Sequence, residues 1–345
     1  MNAAEMGSPK SDDQRSDTGF RLSANMPSSG SQNSMPTFLR NIWPYLLLTL
    51  SQACFSSNHI LGRAVTDIVP PIGLSFWRWM GAVIILLPFT WRNILAAWPA
   101  IRAQWKELIF ISFSLVIMGN TMIYVGLNYT TAINASVLAV AQPAVTFILS
   151  WLMFRDSITP GQGIGVAIAM VGVLTVLTHG NPLSLTEFDF NIGDLLILIA
   201  VTGLSIYSIM LRRVPKALTP MAQITVLQLI GAILLSPAYL WESIYVAPLT
   251  FTPETLFAIL WAAIVIAILA MWLWNLGVAE IGANKASVYV YVRLLFVTIG
   301  AILILGESLQ VYHFVAFVLV FAGILFVSRA RPSTGVAKNK MQTKI

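Results

Sequence analysis

Ten long apolar runs occupy most of the sequence between residues 43 and 328. Each run has 18 to 24 residues, the length that a helix needs to cross the hydrocarbon core of a bilayer. We number them as spans 1 to 10: Trp43–Gly62, Pro71–Phe89, Glu107–Leu127, Thr131–Phe154, Gly161–Thr178, Ile192–Leu211, Pro220–Leu240, Thr255–Leu276, Ala283–Leu305 and Gln310–Ser328. Because backbone groups in lipid must satisfy one another's hydrogen bonds, such runs fold as helices. The sequence therefore predicts an all-α integral membrane protein with ten transmembrane helices.

The amino-acid composition also predicts an integral membrane protein. Of the 345 residues, 57% are hydrophobic and only 10% are charged, whereas a soluble domain carries about 25% charged residues. A soluble globule of this size would lack the polar atoms to cover its surface, so we expect the outer surface to contact membrane lipid. The single cysteine, Cys54, cannot form an internal disulfide.

The two ends of the chain differ from the apolar centre. Residues 1–40 are rich in Ser, Asn, Asp and Gly, which predicts a disordered tail without the apolar core of a secretory signal. Residues 331–345 form a basic tail. Between the tails we predict two repeats, residues 41–180 with spans 1 to 5 and residues 181–330 with spans 6 to 10.

The basic residues indicate orientation. If the N-terminus is cytoplasmic, 17 of the 20 Lys and Arg residues fall in cytoplasmic segments, Arg63 lies outside, and Arg78 and Arg293 lie within spans. This asymmetry predicts that both termini are cytoplasmic in the cell (inner) membrane. Because the basic residues are scattered over many short connections, they argue against a nucleic-acid partner.

An internal repeat relates the two halves. A shift of 151 residues superimposes Gly126–Leu177 on Gly277–Ser328 without a gap, with 11 identities in 52 positions. Both copies contain an Ala-Ser-Val triplet. In both, the apolar run that includes this triplet is followed by an acidic residue and a serine, at Asp156 and at Glu307. Five spans per copy is an odd number, so the second copy enters the membrane in the opposite direction. Inverted repeats recur in secondary transporters, whose solute sites lie near the midplane between the halves.

Several motifs carry a resemblance to a known family. They are G-L-N-Y-T-T-A-x-x-A-S at Gly126–Ser136, the Gln142-Pro143 pair, the acidic-Ser ends of spans 4 and 9, and Arg78 between two tryptophans. The sequence resembles the drug/metabolite transporter superfamily, in particular its ten-helix EamA-type members, from Trp43 to Arg329. The resemblance implies metabolite transport and favours export over import. Arg293 departs from the family pattern, in which many members carry an acidic or amide residue followed by proline.

Arg293 is the strongest candidate for a binding group. An arginine at the centre of a span costs about 2.5–3.5 kcal/mol on insertion scales, and no Asp or Glu lies mid-span to pair with it. A guanidinium grips a carboxylate with two parallel hydrogen bonds. The alternative is an Arg293 that serves the fold only, capped by carbonyls and by the rings of Tyr289 or Tyr291. For Arg78, which the family carries with many solutes, a structural intramembrane role is favoured.

A polar face on span 1 adds further candidates. Gln52 and His59 are seven residues apart and share a face near Ser56, which we expect to point inward as cavity lining or as contacts between helices. His59 could carry a coupling proton or be structural. The full set of predicted substrate-binding residues is Arg293, Tyr289, Tyr291, Asn58, His59, Asn120, Tyr124, Gln142, Tyr207 and Trp274.

Small residues follow one face of span 5, at Gly161, Gly165, Ala169 and Gly172. This ridge predicts close helix packing, with a homodimer contact as the alternative.

Enzyme signatures are absent from the sequence. It contains no H-E-x-x-H pair, no P-loop lysine motif and no Cys/His ligand cluster. We therefore expect no catalytic residue, no metal and no cofactor. The prediction is a secondary transporter that moves a small organic metabolite, an amino acid or related carboxylate, through a midplane cavity by alternating access. The alternatives are a transporter of cationic or neutral solutes with a structural Arg293, and a non-transporting sensor or scaffold.

Overall fold

The computed structural model describes residues 37–154, 160–181, 191–281 and 289–329. Each predicted span is helical over its described residues, and these residues contain no strand. In chain order the helices of the ten spans are Thr37–Ala64, Pro71–Ala96, Trp105–Gly126, the pair Ala132–Val140 and Gln142–Phe154, Pro160–Leu177, Ile192–Met210, Pro220–Tyr245, residues 253–281, Val290–Leu305 and Val311–Arg329. A short helix, Trp98–Ala103, lies between spans 2 and 3. Residues 1–36, the basic C-terminal tail, the Asp156-Ser157 pair and the start of span 9 lie outside the described residues. Residues 37–40 were predicted to belong to the disordered tail, but they are helical and begin the helix of span 1.

The described helices have the length and composition of membrane helices. Those of spans 2, 3, 6, 7 and 8 are long and apolar enough to cross a membrane, and span 4 joins them if its two halves, bent by 44°, count as one span. Spans 5, 9 and 10 contribute shorter apolar helices within the described ranges. Span 1 is long but less apolar because Gln52, Asn58 and His59 lie along it. These helices make the chain an all-α multi-pass membrane protein.

Local sequence signals fix where several helices begin. Thr131, Thr219 and Thr252 each accept a hydrogen bond from a backbone N–H three residues later, as N-cap residues do. Proline then occupies the first helical position at Pro220 and Pro253, where its missing N–H costs nothing. Caps and prolines therefore define the span boundaries that hydropathy leaves blurred.

Spans 2 and 7 lie antiparallel and contact each other at both ends. The side-chain oxygen of Asn93, late in span 2, accepts the backbone N–H of Thr219 at 2.8 Å. The carboxylate of Glu242, late in span 7, accepts the backbone N–H of Gly73 at 2.6 Å. Adding 149 to the number of Asn93 gives Glu242. In both contacts a side chain late in one helix binds a backbone N–H at the start of the other helix, so the two contacts correspond when the halves are exchanged.

A second pair of contacts between these spans exchanges in the same way. The hydroxyl of Thr90 donates to that of Thr225 at 3.3 Å, and the rings of Phe76 and Tyr239 stack at 4.5 Å. The 149-residue shift converts the first pair of positions into the second. Antiparallel equivalent helices require a pseudo-two-fold axis in the membrane plane, because an axis along the membrane normal would leave them parallel.

The halves interlock through their first helices. Span 1 packs on spans 8 and 9 of the second half, whereas span 6 packs on spans 3 and 4 of the first half. Gly126 lies against Ile197 and Gly277 lies against Leu48, with distances of 3.1 and 2.6 Å from the side chain to the position that a Cβ would take. These equivalent contacts confirm that the two repeats are inverted and place span 1 between the halves.

One end of the bundle, which we call the acidic end, contains Asp194, Glu242 and Glu307. Gly306 adopts a left-handed conformation, with φ of 67°, and turns the chain after span 9. Glu307 then accepts the backbone N–H groups of Ala132 and Ile133 at 2.8 and 3.0 Å. A carboxylate at a helix N-terminus is favoured by the helix dipole, so Glu307 holds span 4 against the end of span 9.

A buried polar cluster ties more elements together at the acidic end. Asp194, fully buried, accepts hydrogen bonds from the Thr130 hydroxyl and from the Asn134 amide, and His179 Nε2 lies 3.9 Å from it. His313 of span 10 lies 2.6 Å from the Asn134 side-chain oxygen. Asn134 therefore links a residue of span 6 to a residue of span 10, and the acidic end is closed by contacts between the halves.

The small-residue ridge of span 5 packs on span 10. A Cβ at Gly172 would lie 2.9 Å from the carbonyl oxygen of Ala316 and 2.7 Å from the Val320 side chain. On the facing helix, a Cβ at Gly323 would lie 2.6 Å from the backbone nitrogen of Ala169. The ridge therefore serves helix packing inside the chain, as the sequence predicted.

We expect Gly172→Ala to destabilise the protein by about 1–3 kcal/mol, because the added methyl group overpacks the interface of spans 5 and 10. The thermal unfolding midpoint of the detergent-purified protein measures this. Gly163→Ala is the matched control, since a Cβ there meets no atom within 4 Å. Equal midpoints for both variants would contradict the packing described above.

We expect Asn134→Leu to destabilise the acidic end by roughly 1–3 kcal/mol, because Asp194 loses a buried hydrogen-bond donor. Hydrogen exchange should quicken in residues 127–134 and 191–197 beyond that in the rest of the protein. Asn275→Leu serves as the matched control, because Asn275 lies in span 8 near the end of the bundle opposite to the acidic end. Unchanged exchange at the acidic end would show that Asn134 does not link the halves there.

Candidate functional site

Span 1 presents a buried polar face between the two halves. Gln52, Ser56 and His59 recur at helical spacing and are 0, 4 and 3% exposed, and Asn58 beside them is 6% exposed. The helix can bury these groups because spans 8 and 9 cover it on one side and span 3 covers it on another. The sequence-predicted polar face therefore points into the protein.

Arg78 of span 2 is the centre of one polar cluster. Its Nη1 donates to the side-chain oxygens of Asn58 and Asn120 and to the Tyr124 hydroxyl, at 3.1, 3.2 and 3.1 Å. The Tyr124 hydroxyl in turn donates to Asn58 at 2.6 Å. The guanidinium carbon lies 4.4 Å from the centre of the Trp79 ring, a distance at which a cation is attracted to the ring face. Three predicted binding residues thus meet at Arg78.

A π-helical segment in span 3, Phe113–Thr121, helps to place this cluster. The Asn120 amide donates to the carbonyl of Leu115 at 2.9 Å, and the Thr121 hydroxyl donates to that of Val116 at 2.8 Å. The Thr121 hydroxyl also lies 2.8 Å from the hydroxyl of Ser75 in span 2. Wide turns of this kind often occur at functional sites. Span 8 has a π-helical segment at the equivalent position, Ala262–Leu269.

Arg293 of span 9 forms a second cluster with span 1. Its Nε donates to the side-chain oxygen of Gln52 at 3.1 Å, and its guanidinium carbon lies 4.8 Å from the centre of the Phe55 ring. Arg293 is half-buried. The side chain therefore turns toward span 1 and the protein interior.

His59 follows Asn58 in span 1 and is buried near the two clusters. It is 3% exposed, lies within electrostatic range of both Arg78 and Arg293, and has no hydrogen-bond partner for either ring nitrogen among the described residues. The Gln52 amide nitrogen and the Arg78 Nε are also buried without a partner in the described part of the chain. A buried polar group without a partner costs about 1–3 kcal/mol, so each of these groups needs an explanation.

Three carboxylates of the described helices bind donors away from the arginines. Glu242 and Glu307 bind backbone N–H groups at the starts of spans 2 and 4, and Asp194 binds Thr130 and Asn134. Within the described ranges, neither Arg78 nor Arg293 forms an ion pair with a carboxylate. Among the described residues, the positive charge beside span 1 therefore contacts neutral oxygens and aromatic rings.

Three further predicted binding residues, Tyr289, Tyr291 and Tyr207, have no described contact with the two guanidinium groups. Tyr289 stacks on Tyr45 at 6.1 Å, and Tyr291 contacts Phe321 of span 10 edge to face at 5.3 Å. Tyr207 packs in an apolar cluster with residues of spans 2, 3 and 7.

Gln142 begins the second helix of span 4 where the span bends, and its backbone carbonyl accepts the Ser205 hydroxyl at 3.3 Å. Trp274 is half-buried in span 8. No described contact joins Gln142 or Trp274 to Arg78 or Arg293, although a broken helix at membrane depth is itself a common feature of transporter sites.

Comparison with known proteins decides the family. Residues 42–178 and residues 191–329 each match the "EamA-like transporter family". The chain belongs to the EamA-like transporter family. The two matched segments correspond to the two inverted halves, and together they span nearly all of the described residues.

Individual relatives of this EamA-like transporter agree. The chain is 30% identical over 209 residues to the uncharacterized transporter YyaM of Bacillus subtilis, covering 61% of this chain and 68% of the relative. It is 26% identical over 286 residues to an uncharacterized transporter of Archaeoglobus fulgidus, covering 81% and 95%. A crystal structure matches with a TM-score of 0.52 at 16% identity, covering 82% of this chain and 95% of the other, which supports the fold. The protein is therefore a membrane transporter rather than an enzyme.

Sequence reasoning missed part of the site of this EamA-like transporter. Phe55 carries no signal that separates a ring under a guanidinium from an ordinary apolar residue. Ser75 and Thr121 are small hydroxyl residues of a kind common in membrane helices. Gln52 was noted on the polar face, and its spacing from His59 was the signal that could have placed it in the site. Among the described residues, no group of three or more His, Cys, Asp or Glu side chains could hold a metal ion.

We expect Tyr124→Phe to destabilise the transporter by about 1–3 kcal/mol, because Asn58 and Arg78 both lose a buried hydrogen-bond partner. Thermal unfolding of the purified protein measures this loss. Tyr245→Phe removes the same atom from a residue that is 75% exposed and should leave the midpoint unchanged. A Tyr124→Phe variant as stable as the wild type would argue that the cluster contributes little to the fold.

Proposed function

We propose that this protein is a secondary transporter that moves a small organic carboxylate, an amino acid or a related metabolite, across the cell (inner) membrane. The observation that carries the proposal is the arrangement around span 1, where Arg293 and Arg78 face buried polar groups and no carboxylate among the described residues neutralises them. A guanidinium with neutral neighbours retains its charge and can bind an anion strongly in a medium of low dielectric constant.

Arg293 is the proposed binding group for the carboxylate. The stacking on Phe55 and the hydrogen bond to Gln52 hold its planar group in a fixed orientation, and such preorganisation lowers the cost of binding. Gln52 and His59 would add hydrogen bonds to the solute, since both have buried nitrogen atoms that form no hydrogen bond with a described residue. Asn58, Asn120 and Tyr124 would position Arg78 beside them.

Alternating access is the proposed mechanism. The interlocked inverted halves allow the same contacts to form and break at either end, as in other transporters built from inverted repeats. The acidic end is closed by Asn134, Asp194, Glu307 and His313, and opening it would require these bonds between the halves to break. The excess of Lys and Arg in the opposite connections supports a cytoplasmic location for both termini. Export is the direction that the family resemblance favours.

A second candidate is a transporter of neutral or cationic solutes in which Arg293 serves the fold alone. The contacts of Arg293 with Gln52 and Phe55 favour this reading, because they would hold the side chain in place without a ligand. A sensor or scaffold that keeps the fold would bind a solute without moving it, and flux measurements separate it from both transporters.

We expect Arg293→Gln to lower carboxylate flux in proteoliposomes by about 10- to 100-fold, because a charge-assisted hydrogen bond contributes about 1.5–3 kcal/mol. Arg293→Lys keeps the charge but loses the planar fork and should give an intermediate rate. Flux of neutral and cationic solutes should not fall in parallel.

The matched control for this experiment is Arg92→Gln, which removes an exposed guanidinium near the end of span 2. It should leave flux unchanged. An equal loss of flux for all solutes in Arg293→Gln would favour the structural role of Arg293. Absence of carboxylate flux in the wild-type protein would refute the proposed function.

A further inference from the structure

The two arginines of the site contact span 1 at two different levels along its axis. Gln52 contacts Arg293 and Asn58 contacts Arg78. These two span 1 positions are six residues apart, so their levels differ by roughly 9 Å along the helix axis. His59 lies within electrostatic range of both guanidinium groups. The site thus has two cationic poles, and the buried His59 directly follows Asn58 at the level of Arg78.

The hydrogen-bonding groups of the site have too few acceptors. The Gln52 amide nitrogen and the Arg78 Nε are donors without a partner in the described part of the chain, and a neutral His59 adds a third N–H. By contrast, the side-chain oxygens of Gln52, Asn58 and Asn120 already accept hydrogen bonds from arginine. A ligand that fits must therefore supply acceptors.

This pattern discriminates between classes of carboxylate. The ammonium group of a zwitterionic amino acid would need an acceptor or an anionic partner. Each oxygen beside the arginines already accepts a hydrogen bond from a guanidinium, and the only acceptor atom of the site without a partner among the described residues is the unprotonated ring nitrogen of a neutral His59. A second carboxylate would meet the second cationic pole instead. Burying an ammonium group next to two guanidinium groups without compensation is unfavourable.

The fold does not require a charge at the Arg78 position. The 149-residue shift that relates spans 1 and 2 to spans 6 and 7 places Gln52 on Val201, Arg78 on Leu227 and His59 on Ser208. Leu227 is fully buried and Val201 is 2% exposed. The equivalent helices of the second half therefore pack with apolar side chains at the positions of Arg78 and Gln52. A role in ligand binding explains why Arg78 has no charged counterpart in the second half.

We propose that the substrate is a dianion with two separated carboxylates, a small dicarboxylate, held at one end by Arg293 with Gln52 and at the other by Arg78, with His59 as a further hydrogen-bond donor near Arg78. This inference rests on the proposed function and narrows its substrate class. Arg78 becomes a substrate-binding residue, and Asn58, Asn120 and Tyr124 position its guanidinium.

The test is a thermal-shift series on the full-length purified protein, since a ligand of the folded state raises its stability. The probes are malonate, succinate, glutarate and adipate, each compared with the monocarboxylate of the same carbon number, together with glutamate, alanine and inorganic phosphate. We expect one or two dicarboxylates to bind at least about ten-fold more tightly than their monocarboxylate, glutamate and phosphate counterparts.

Variants test whether Arg78 and Arg293 form the two cationic poles. Arg78→Gln and Arg293→Gln should each reduce the preference for the dicarboxylate by about ten-fold or more, while Arg92→Gln leaves it unchanged. Asn58→Asp places a carboxylate of the same shape against Arg78 and should abolish the preference while the ligand-free protein unfolds at an unchanged or higher temperature. Loss of preference in Arg92→Gln, or its retention in both Arg78→Gln and Asn58→Asp, would overturn the assignment.

The wild-type series decides the inference even if the variants do not fold. A preference for monocarboxylates, zwitterionic amino acids or phosphate over every dicarboxylate would overturn it. If proteoliposomes then transport such a monocarboxylate or amino acid, the proposed function stands and only the dianion is wrong. If no carboxylate binds or moves, both proposals fail.

Discussion

The rest of this structure depends on one constraint. Two guanidinium groups lie inside a membrane bundle, and neither has a paired carboxylate among the described residues. Arg78 and Arg293 would each be costly in a lipid-facing helix. The protein stabilises them with neutral oxygens and aromatic rings: Asn58, Asn120, Tyr124 and Trp79 around Arg78, and Gln52 and Phe55 around Arg293. Span 1 supplies contacting side chains to both arginines, which explains why the least apolar of the ten spans lies between the halves.

The acidic side chains of the described helices have a different task. Glu242 and Glu307 bind helix starts across the boundary between the halves, and Asp194 ties span 6 to the region before span 4. A carboxylate at a helix N-terminus is stabilised by the dipole and by free N–H groups, so these acids are satisfied without a basic partner. Keeping the acids at the end of the bundle and the arginines beside span 1 leaves the interior positive, and that separation of charge gives the site its chemical character.

The spans and the inverted repeat could be read from the sequence, because both depend on properties that run along the chain. The length of an apolar run limits what can cross a bilayer, and an odd number of spans per repeat reverses the second copy. The helices match the predicted runs, and the family match covers both repeats. The site was predicted less completely. Asn58, Asn120 and Tyr124 were predicted as binding residues, but their common contact with Arg78 was not predicted. The described ring contacts of Tyr289 and Tyr291 are with Tyr45 and Phe321.

The sequence by itself determined that this chain is an all-helical membrane transporter with two related halves, since burial in lipid is governed by length, composition and repetition. Only the tertiary structure decided which polar groups meet. Arg293 and Gln52 are 241 residues apart, and no local pattern records a contact between helices of different halves. The π-helical segment of span 3 also changes the local winding of the helix that contains Asn120, and regular 3.6-residue spacing does not record such a change. The physical reason is that a side chain's direction depends on local winding, and its partner depends on how whole helices pack.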